Sequence, residues 1–193
     1  MLDNLKKYKI ILGSTSPRRQ ELLSGIDITF DSLQPKVDEE YPEDMKKRDI
    51  PEFLAKKKSD GCLEASLPDN FLLITADTIV LLENEVFGKP TDRGEAKQML
   101  QKLSGKQHEV ITGVCIRTKT KCKIFNVVSH VQFSVLSDSE IDYYIDKYAP
   151  YDKAGSYGVQ EWIGYIAVDN IQGSYFNVMG LPIQRLYQEL KNW

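Results

Sequence analysis

The chain has few of the features that mark membrane, secreted or metal-scaffolded proteins. No apolar run approaches the length of a membrane span, and Met1 to Lys9 holds no apolar signal region. Neither insertion nor export is indicated, and a cytoplasmic protein without a membrane partner is expected. Cysteine is scarce: Cys62, Cys115 and Cys122 are odd in number and lack paired metal-ligand spacing. That excludes a disulfide framework and a zinc knuckle, and leaves thiols. Cys115 and Cys122 flank an expected hairpin turn at Lys119, Thr120 and Lys121, which can bring them near each other. The two histidines, His108 and His130, lack the spacing of a metal pair and are expected to be structural. Positive charge is not in surplus, with 25 Lys and Arg against 28 Asp and Glu. A general nucleic-acid binder is therefore not expected, and any anion site has to be a local positive pocket. Internal repeats and low-complexity tracts are also missing.

What is there suits one globular domain. The 193 residues are 41% hydrophobic, enough for a substantial core, and no linker divides them. A single domain over 1–193 is expected. Tyr8 to Gly13 reads as a first strand and Ser16 to Ser24 as a helix stopped by Gly25. Ile28 to Leu33 reads as a second strand, and 34–49 as a polar loop with Pro35 and Pro42. Pro51 opens a helix through about Leu67, interrupted by Gly61. Phe71 to Leu82 is nearly continuous and apolar, the pattern of a central strand buried on both faces. Asp92 with Glu95, and Ser137 with Glu140, have capping-box spacing before two further helices. The first carries Ala96, Met99, Leu100 and Leu103 inward, the second Ile141, Tyr144 and Ile145. Val110 to Arg117 and Ile124 to Leu136 suggest an antiparallel pair. A glycine-bearing loop at 152–158 precedes a short strand near Ile163 to Val168. A loop or turn spans Gly173 to Gly180, and Pro182 opens the last helix. This irregular mixture predicts an α/β protein with a mixed, twisted central sheet and flanking helices.

Several segments carry residue types that suit chemistry. In Gly13-Ser14-Thr15-Ser16-Pro17-Arg18-Arg19, Ser16 suits a helix N-cap and Pro17 the first helical position. Arg18 and Arg19 then sit at the end of a helix that already carries partial positive charge, an unfavourable placing unless an anion lies among them. Amides, hydroxyls and two guanidinium groups together make a phosphate cradle. Asp77 lies within Leu72-Leu73-Ile74-Thr75-Ala76-Asp77-Thr78-Ile79-Val80. A carboxylate in a buried strand is either paired structurally or serves as metal ligand or general base. Gly88-Lys89-Pro90 fixes a lysine between two backbone-restricting residues but is not a P-loop. Glu39 and Glu40 after Asp38 are either hard-oxygen ligands or a solvated acidic run. Lys56, Lys57 and Lys58 read as a solvated helix face from which one can turn inward. In the loop 152–160, Gly155 and Gly158 allow close backbone approach. There Gln160 offers both donor and acceptor, suited to a nucleobase edge or to a plain turn.

Taken together, Ser14-Thr15-Ser16-Pro17-Arg18-Arg19, Ala76-Asp77-Thr78-Ile79-Val80, Gly88-Lys89-Pro90, Ser104-Gly105-Lys106 with His108, Asp152-Lys153-Ala154-Gly155-Ser156-Tyr157-Gly158 and Gly173-Ser174-Tyr175-Phe176-Asn177-Val178-Met179-Gly180-Leu181-Pro182 occur in this order. The chain resembles the Maf-type nucleoside triphosphate pyrophosphatases from about Ile10 to Leu186. That resemblance implies a fold of two lobes around a cleft, a cytoplasmic homodimer, a divalent metal (Mg²⁺ or Mn²⁺), and hydrolysis of a nucleoside triphosphate to the monophosphate and pyrophosphate. It implies Asp77 as proton acceptor, with Glu39 near the metal, and the buried Asp77 is expected to be a ligand to that metal as well. It implies Arg18, Thr78 and Gln160 in substrate selection, and Ser14, Arg19, Lys58 and Lys89 along the phosphates. The Lys-Ala-Gly-Ser-Tyr-Gly-Val-Gln run is similar to the branch acting on dTTP and UTP. Action on 7-methyl-GTP, or nucleotide binding without turnover in the control of cell division, are the alternatives it leaves. One departure is Thr75, where glycine is common in that family; it adds bulk beside Asp77.

Overall fold

In the computed structural model, which describes residues 2–193, the longest apolar run organises the sheet. This is β3 (Phe71–Leu82), buried along almost its whole length. β1 (Lys9–Leu12) runs parallel to it, with Ile10 opposite Leu72 and Leu12 opposite Ile74. β2 (Asp31–Ser32) is parallel to β1 in turn. β4 (Glu85–Phe87) folds back antiparallel on the end of β3. With β5 (Gln107–Arg117), β6 (Cys122–Phe133) and β7 (Val168–Gln172), the order of the seven-stranded sheet is β2-β1-β3-β5-β6-β7, with β4 off this path on β3. Between β5 and β6 the Thr118 N–H donates to the Lys121 carbonyl at 2.8 Å. So short a connection between neighbouring strands makes them antiparallel. β7 is also antiparallel, to β6. The mixed sheet and its flanking helices are the α/β architecture expected.

The helices are α1 (Pro17–Ser24), α2 (Ile50–Cys62), α3 (Arg93–Leu103), α4 (Asp138–Tyr148), α5 (Trp162–Ala167), α6 (Tyr175–Val178) and α7 (Ile183–Lys191). Their starts follow side-chain chemistry. Ser137 and Glu140 form the full reciprocal box at α4. At α3 only half of it forms. Asp92 accepts the Glu95 N–H, while the Glu95 carboxylate takes the N–H and hydroxyl of Thr91, both at 2.7 Å.

Three expectations need correction. α2 stops at Cys62 rather than near Leu67, and the chain continues through single turns such as Leu63 N–H to the Asp60 carbonyl. Gly61 and the approach of Pro68 weaken any further helix. The second strand is only Asp31–Ser32 rather than Ile28 to Leu33. The expected strand at Ile163 to Val168 is helix α5, and β7 begins only at Val168. Gly164 decides this: its N–H bonds the Glu161 carbonyl at 2.8 Å, and a Cβ on it would lie 1.8 Å from the Val159 carbonyl oxygen. An apolar run that short fits strand or helix equally by pattern.

Packing divides the chain into two units. The first comprises Met1–Asp77, Thr112–Val127 and Gly180–Trp193; the second comprises Thr78–Ile111 and Val128–Met179. Met1, included in the expected 1–193 domain, lies outside the described residues. β3, β5 and β6 each pass unbroken from one unit into the other. In the first unit, Ile11, Cys62, Phe71 and Leu73 form a core cluster that Leu33 and Leu67 cover. In the second, α3 and α4 bury Leu100, Leu103, Ile141 and Ile145, and Arg93 and Lys97 of α3 pair with Asp142 of α4. Cys115 and Cys122 are free thiols with sulfurs 3.6 Å apart. Among the described residues, no helix is long and apolar enough to cross a membrane.

Candidate active site

The first unit carries the acidic and basic residues that the motifs single out around β1, α1, α2 and β3. After β1, the Gly13 N–H extends the pairing by donating to the Ile74 carbonyl at 2.8 Å. There is no space for a side chain here, since a Cβ on Gly13 would lie 2.5 Å from the Thr75 methyl and 3.0 Å from the Cys62 sulfur. Ser14 is buried, and its hydroxyl accepts the Ser16 N–H at 3.2 Å. Ser16 precedes α1 with extended backbone and Pro17 follows at the first helical position, but the Ser16 hydroxyl makes no capping bond. The expected side-chain cap is absent, and Ser16 is held by its own N–H to Ser14 instead. Arg19 donates from Nε to the Gly180 carbonyl at 2.8 Å. Burial lowers its pKa below the ordinary value, Asp77 and Glu39 oppose that, and Arg18 adds to it. Asp77, Glu39 and Arg18 therefore each lie within electrostatic reach of Arg19.

Asp77 is buried on β3, as its apolar flanks predict. Its Oδ1 lies 2.5 Å from the Lys58 Nζ, with side chains only 9% and 12% exposed. The same ammonium reaches Glu39 Oε1 at 2.7 Å. Lys58 is thus the one of three consecutive lysines that turns inward, whereas Lys56 pairs with Asp60 and Lys57 with Asp38. Two observations explain why α2 aims Lys58 so well. Thr75 and Asp77 share a face of β3 by the two-residue strand period, and Ala55 and Lys58 share a face of α2. The Thr75 hydroxyl donates to the Ala55 carbonyl at 2.7 Å, pinning that helix face to the strand. The added bulk of Thr75 therefore packs between α2 and Gly13.

Glu39 sits in the polar loop, yet that loop is held. Lys57 donates to the Glu40 carbonyl at 2.9 Å, and the Val37 side chain fills the space over Gly61, where a Cβ would be 2.3 Å away. No group of three or more His, Cys, Asp or Glu gathers as a metal cage among the described residues. What is present is a pair of carboxylates already sharing one cation. Such a donor set fits Mg²⁺ or Mn²⁺, which take one or two carboxylates and complete their shells with water and substrate phosphates.

The second unit holds Thr78, Lys89 and Gln160. Thr78 is half-buried directly after Asp77 on β3, and Lys89 is exposed beyond β4. The Gly88 carbonyl accepts the Gly155 N–H at 3.0 Å, which ties the Lys89 segment to the loop that leads to Gln160. Gly155 adopts φ +68°, and a Cβ there would meet Val80 at 2.8 Å, so both conformation and space require glycine. Gln160 is half-buried, and its Oε1 has no hydrogen-bond partner among the described residues. Around it, Lys153 pairs with Glu161 at 3.0 Å, and Glu161 accepts the Tyr144 hydroxyl. Tyr144 reads in the sequence only as an inward apolar position; its hydroxyl partners were not legible there. His108 is 2% exposed, bonded to the Tyr157 hydroxyl at 2.8 Å and packed edge-on to Phe133. Burial pushes its pKa down to about 4. His108 packs here as a core side chain.

Fold and site together define an α/β protein with a clustered carboxylate–ammonium–guanidinium site. The model of the family described as Maf-like protein matches residues 9–193, and the chain belongs to that family. It is 57% identical over 192 residues to the dTTP/UTP pyrophosphatase of Phocaeicola vulgatus, covering 99% of both chains. It is 56% identical over 194 residues to the dTTP/UTP pyrophosphatase of Parabacteroides distasonis, covering 100% of both. With the dTTP/UTP pyrophosphatase of Porphyromonas gingivalis it shares 53% identity over 195 residues, covering 100% of this chain and 98% of the relative.

Proposed function

We propose that this chain is a nucleoside triphosphate pyrophosphatase that hydrolyses dTTP and UTP to the monophosphate and pyrophosphate. The observation that carries the reading is the likeness to relatives of that name, which runs the full length of the chain at 53–57% identity. The site supports it in kind. In the proposed reaction, water attacks the α-phosphorus and Asp77 takes its proton. Arg18, Arg19, Lys58 and Lys89 neutralise the phosphate oxygens, and Ser14 adds a hydroxyl beside them. Charge stabilisation of this kind is generally a large part of catalysis on phosphates. A divalent cation held by Glu39 and Asp77 would supply further neutralisation of the triphosphate. The pyrophosphate leaves with the electrons of the broken P–O bond.

Gln160 is the proposed reader of the base. Uracil and thymine present an N3–H flanked by carbonyl oxygens. An unpartnered buried amide oxygen suits that N–H, and the amide NH₂ suits a neighbouring carbonyl. Cytosine presents an N3 lone pair in place of that N–H, so an amide kept in this orientation would set its oxygen against another acceptor, which is how a polar site rejects a close analogue. Thr78 and Arg18 are proposed to assist in this selection.

The test is direct: incubate the purified protein with UTP, dTTP, CTP, GTP and 7-methyl-GTP in the presence of Mg²⁺ and measure pyrophosphate and monophosphate. UTP and dTTP are expected to turn over fastest, and Asp77→Asn to lower kcat by about 100-fold or more. Nucleotide binding without pyrophosphate release, or preference for 7-methyl-GTP, overturns the reading.

A further inference from the structure

Gln160 sits at the third position of a four-residue turn, Gly158-Val159-Gln160-Glu161. The Glu161 N–H closes that turn on the Gly158 carbonyl at 2.9 Å. Both ends of the turn converge on one atom. The Tyr144 hydroxyl accepts the Gly158 N–H at 3.0 Å and donates its own proton to Glu161 Oε2. The second oxygen of Glu161 is 3.0 Å from the Lys153 Nζ, which also holds Asp152 at 2.7 Å. Tyr144 is fully buried and Lys153 only 8% exposed. The clamp closes only because residue 158 has no side chain: a Cβ there would lie 2.9 Å from the Glu161 carboxyl carbon and 3.0 Å from the Lys153 Cε. On the other flank, Gly164 lets α5 press against the Val159 carbonyl.

From this geometry we infer that Tyr144, acting with Glu161 and Lys153, is a positioning residue for substrate selection: it fixes the turn so that the Gln160 amide is held ready for the pyrimidine imide edge. The inference rests on the base-reading role proposed above for Gln160. Stability alone is a poor account of the network. A turn of this kind closes with backbone bonds, and a buried ion pair seldom improves on apolar packing. What a satisfied buried network does supply is a single geometry. The phenol also remains a donor, because burial and the Glu161 carboxylate both raise its pKa.

Tyr144→Phe keeps the ring, including its stacking on Tyr148 at 5.2 Å, and removes both hydrogen bonds. The readout is the ratio of kcat/KM for UTP to that for CTP, in wild type, Tyr144→Phe, Gln160→Ala and the double variant. Tyr144→Phe is expected to lower the ratio about tenfold, chiefly through KM for UTP, since displacement of a positioning group costs on this scale or more. Gln160→Ala is expected to lower it at least as far, and the double variant no further than Gln160→Ala alone. If Tyr144→Phe does not fold, Glu161→Gln carries the same comparison. A ratio that Gln160→Ala lowers and Tyr144→Phe leaves at the wild-type value overturns the inference while sparing the role of Gln160. Additive losses in the double variant overturn it as well. A wild-type protein that does not prefer UTP to CTP removes the base-reading role itself, and the inference with it.

Discussion

Lys58→Met tests whether the carboxylate at the centre of the site is held by the lysine. The substitution keeps the length of the side chain and deletes the ammonium. Asp77 is then left with its side chain 9% exposed and its 2.5 Å partner gone. Removing one member of a buried ion pair typically costs about 3–5 kcal/mol. Two features set the value here. The contact to Glu39, whose side chain is 46% exposed, contributes little, as exposed pairs do. Arg19 still acts on Asp77 through space, which compensates part of the lost charge. The expected loss is therefore about 3 kcal/mol, at the lower end of the range. Urea unfolding at pH 7, followed by both fluorescence and circular dichroism, measures it. The decisive comparison is with Lys58→Met/Asp77→Asn. A neutral amide no longer demands a counter-ion, so the double variant is expected to recover to within about 1 kcal/mol of wild type while remaining inactive. If Lys58→Met unfolds at the wild-type midpoint, or the double variant is no more stable than Lys58→Met, the pair is not what holds Asp77 and the reasoning fails.

Gly13→Ala places a methyl 2.5 Å from the Thr75 methyl, and is expected to cost about 1–3 kcal/mol by overpacking. Thr75→Ser removes that methyl and keeps the bond to Ala55, so a double-mutant cycle by urea titration should return a favourable coupling; simple additivity refutes the contact. His108 is expected to make stability fall with acid. Its folded pKa is about 4 against an ordinary 6.5, so between these values the unfolded chain binds the extra proton. Its contribution is complete above pH 6.5 and is lost as pH falls toward 4. The amount is about 3 kcal/mol across the window. In His108→Gln the difference in unfolding free energy between pH 7 and pH 5 should shrink; an unchanged difference shows that other groups govern it.

How far the site was legible depends on the range of the interactions that build it. β3 and its buried aspartate could be read because an unbroken apolar run admits few alternatives, and α4 because its capping box lies within four residues. The inward turn of one lysine from Lys56-Lys57-Lys58 was foreseen only as a possibility, since the choice is made by Thr75 and Asp77 on β3, about twenty positions away. The same limit hid the clamp on Gln160. Tyr144 has the spacing of a core residue, and nothing within its helix says that its hydroxyl meets residues 158 and 161. Ser16 shows the opposite error: a local signal for an N-cap was sound by type, yet the Ser16 hydroxyl makes no capping bond, and the residue is tied instead by its own N–H to the Ser14 hydroxyl. The Ile163 run failed for a third reason, because Gly164 packs on the Val159 carbonyl and no periodicity records a contact between backbones. Residue types thus announced which groups are available for phosphate chemistry, whereas their aim is set by glycines and hydroxyls at long range. That is why the tests with most power over the mechanism fall on Thr75, Gly13 and Tyr144 as well as on the charged residues themselves.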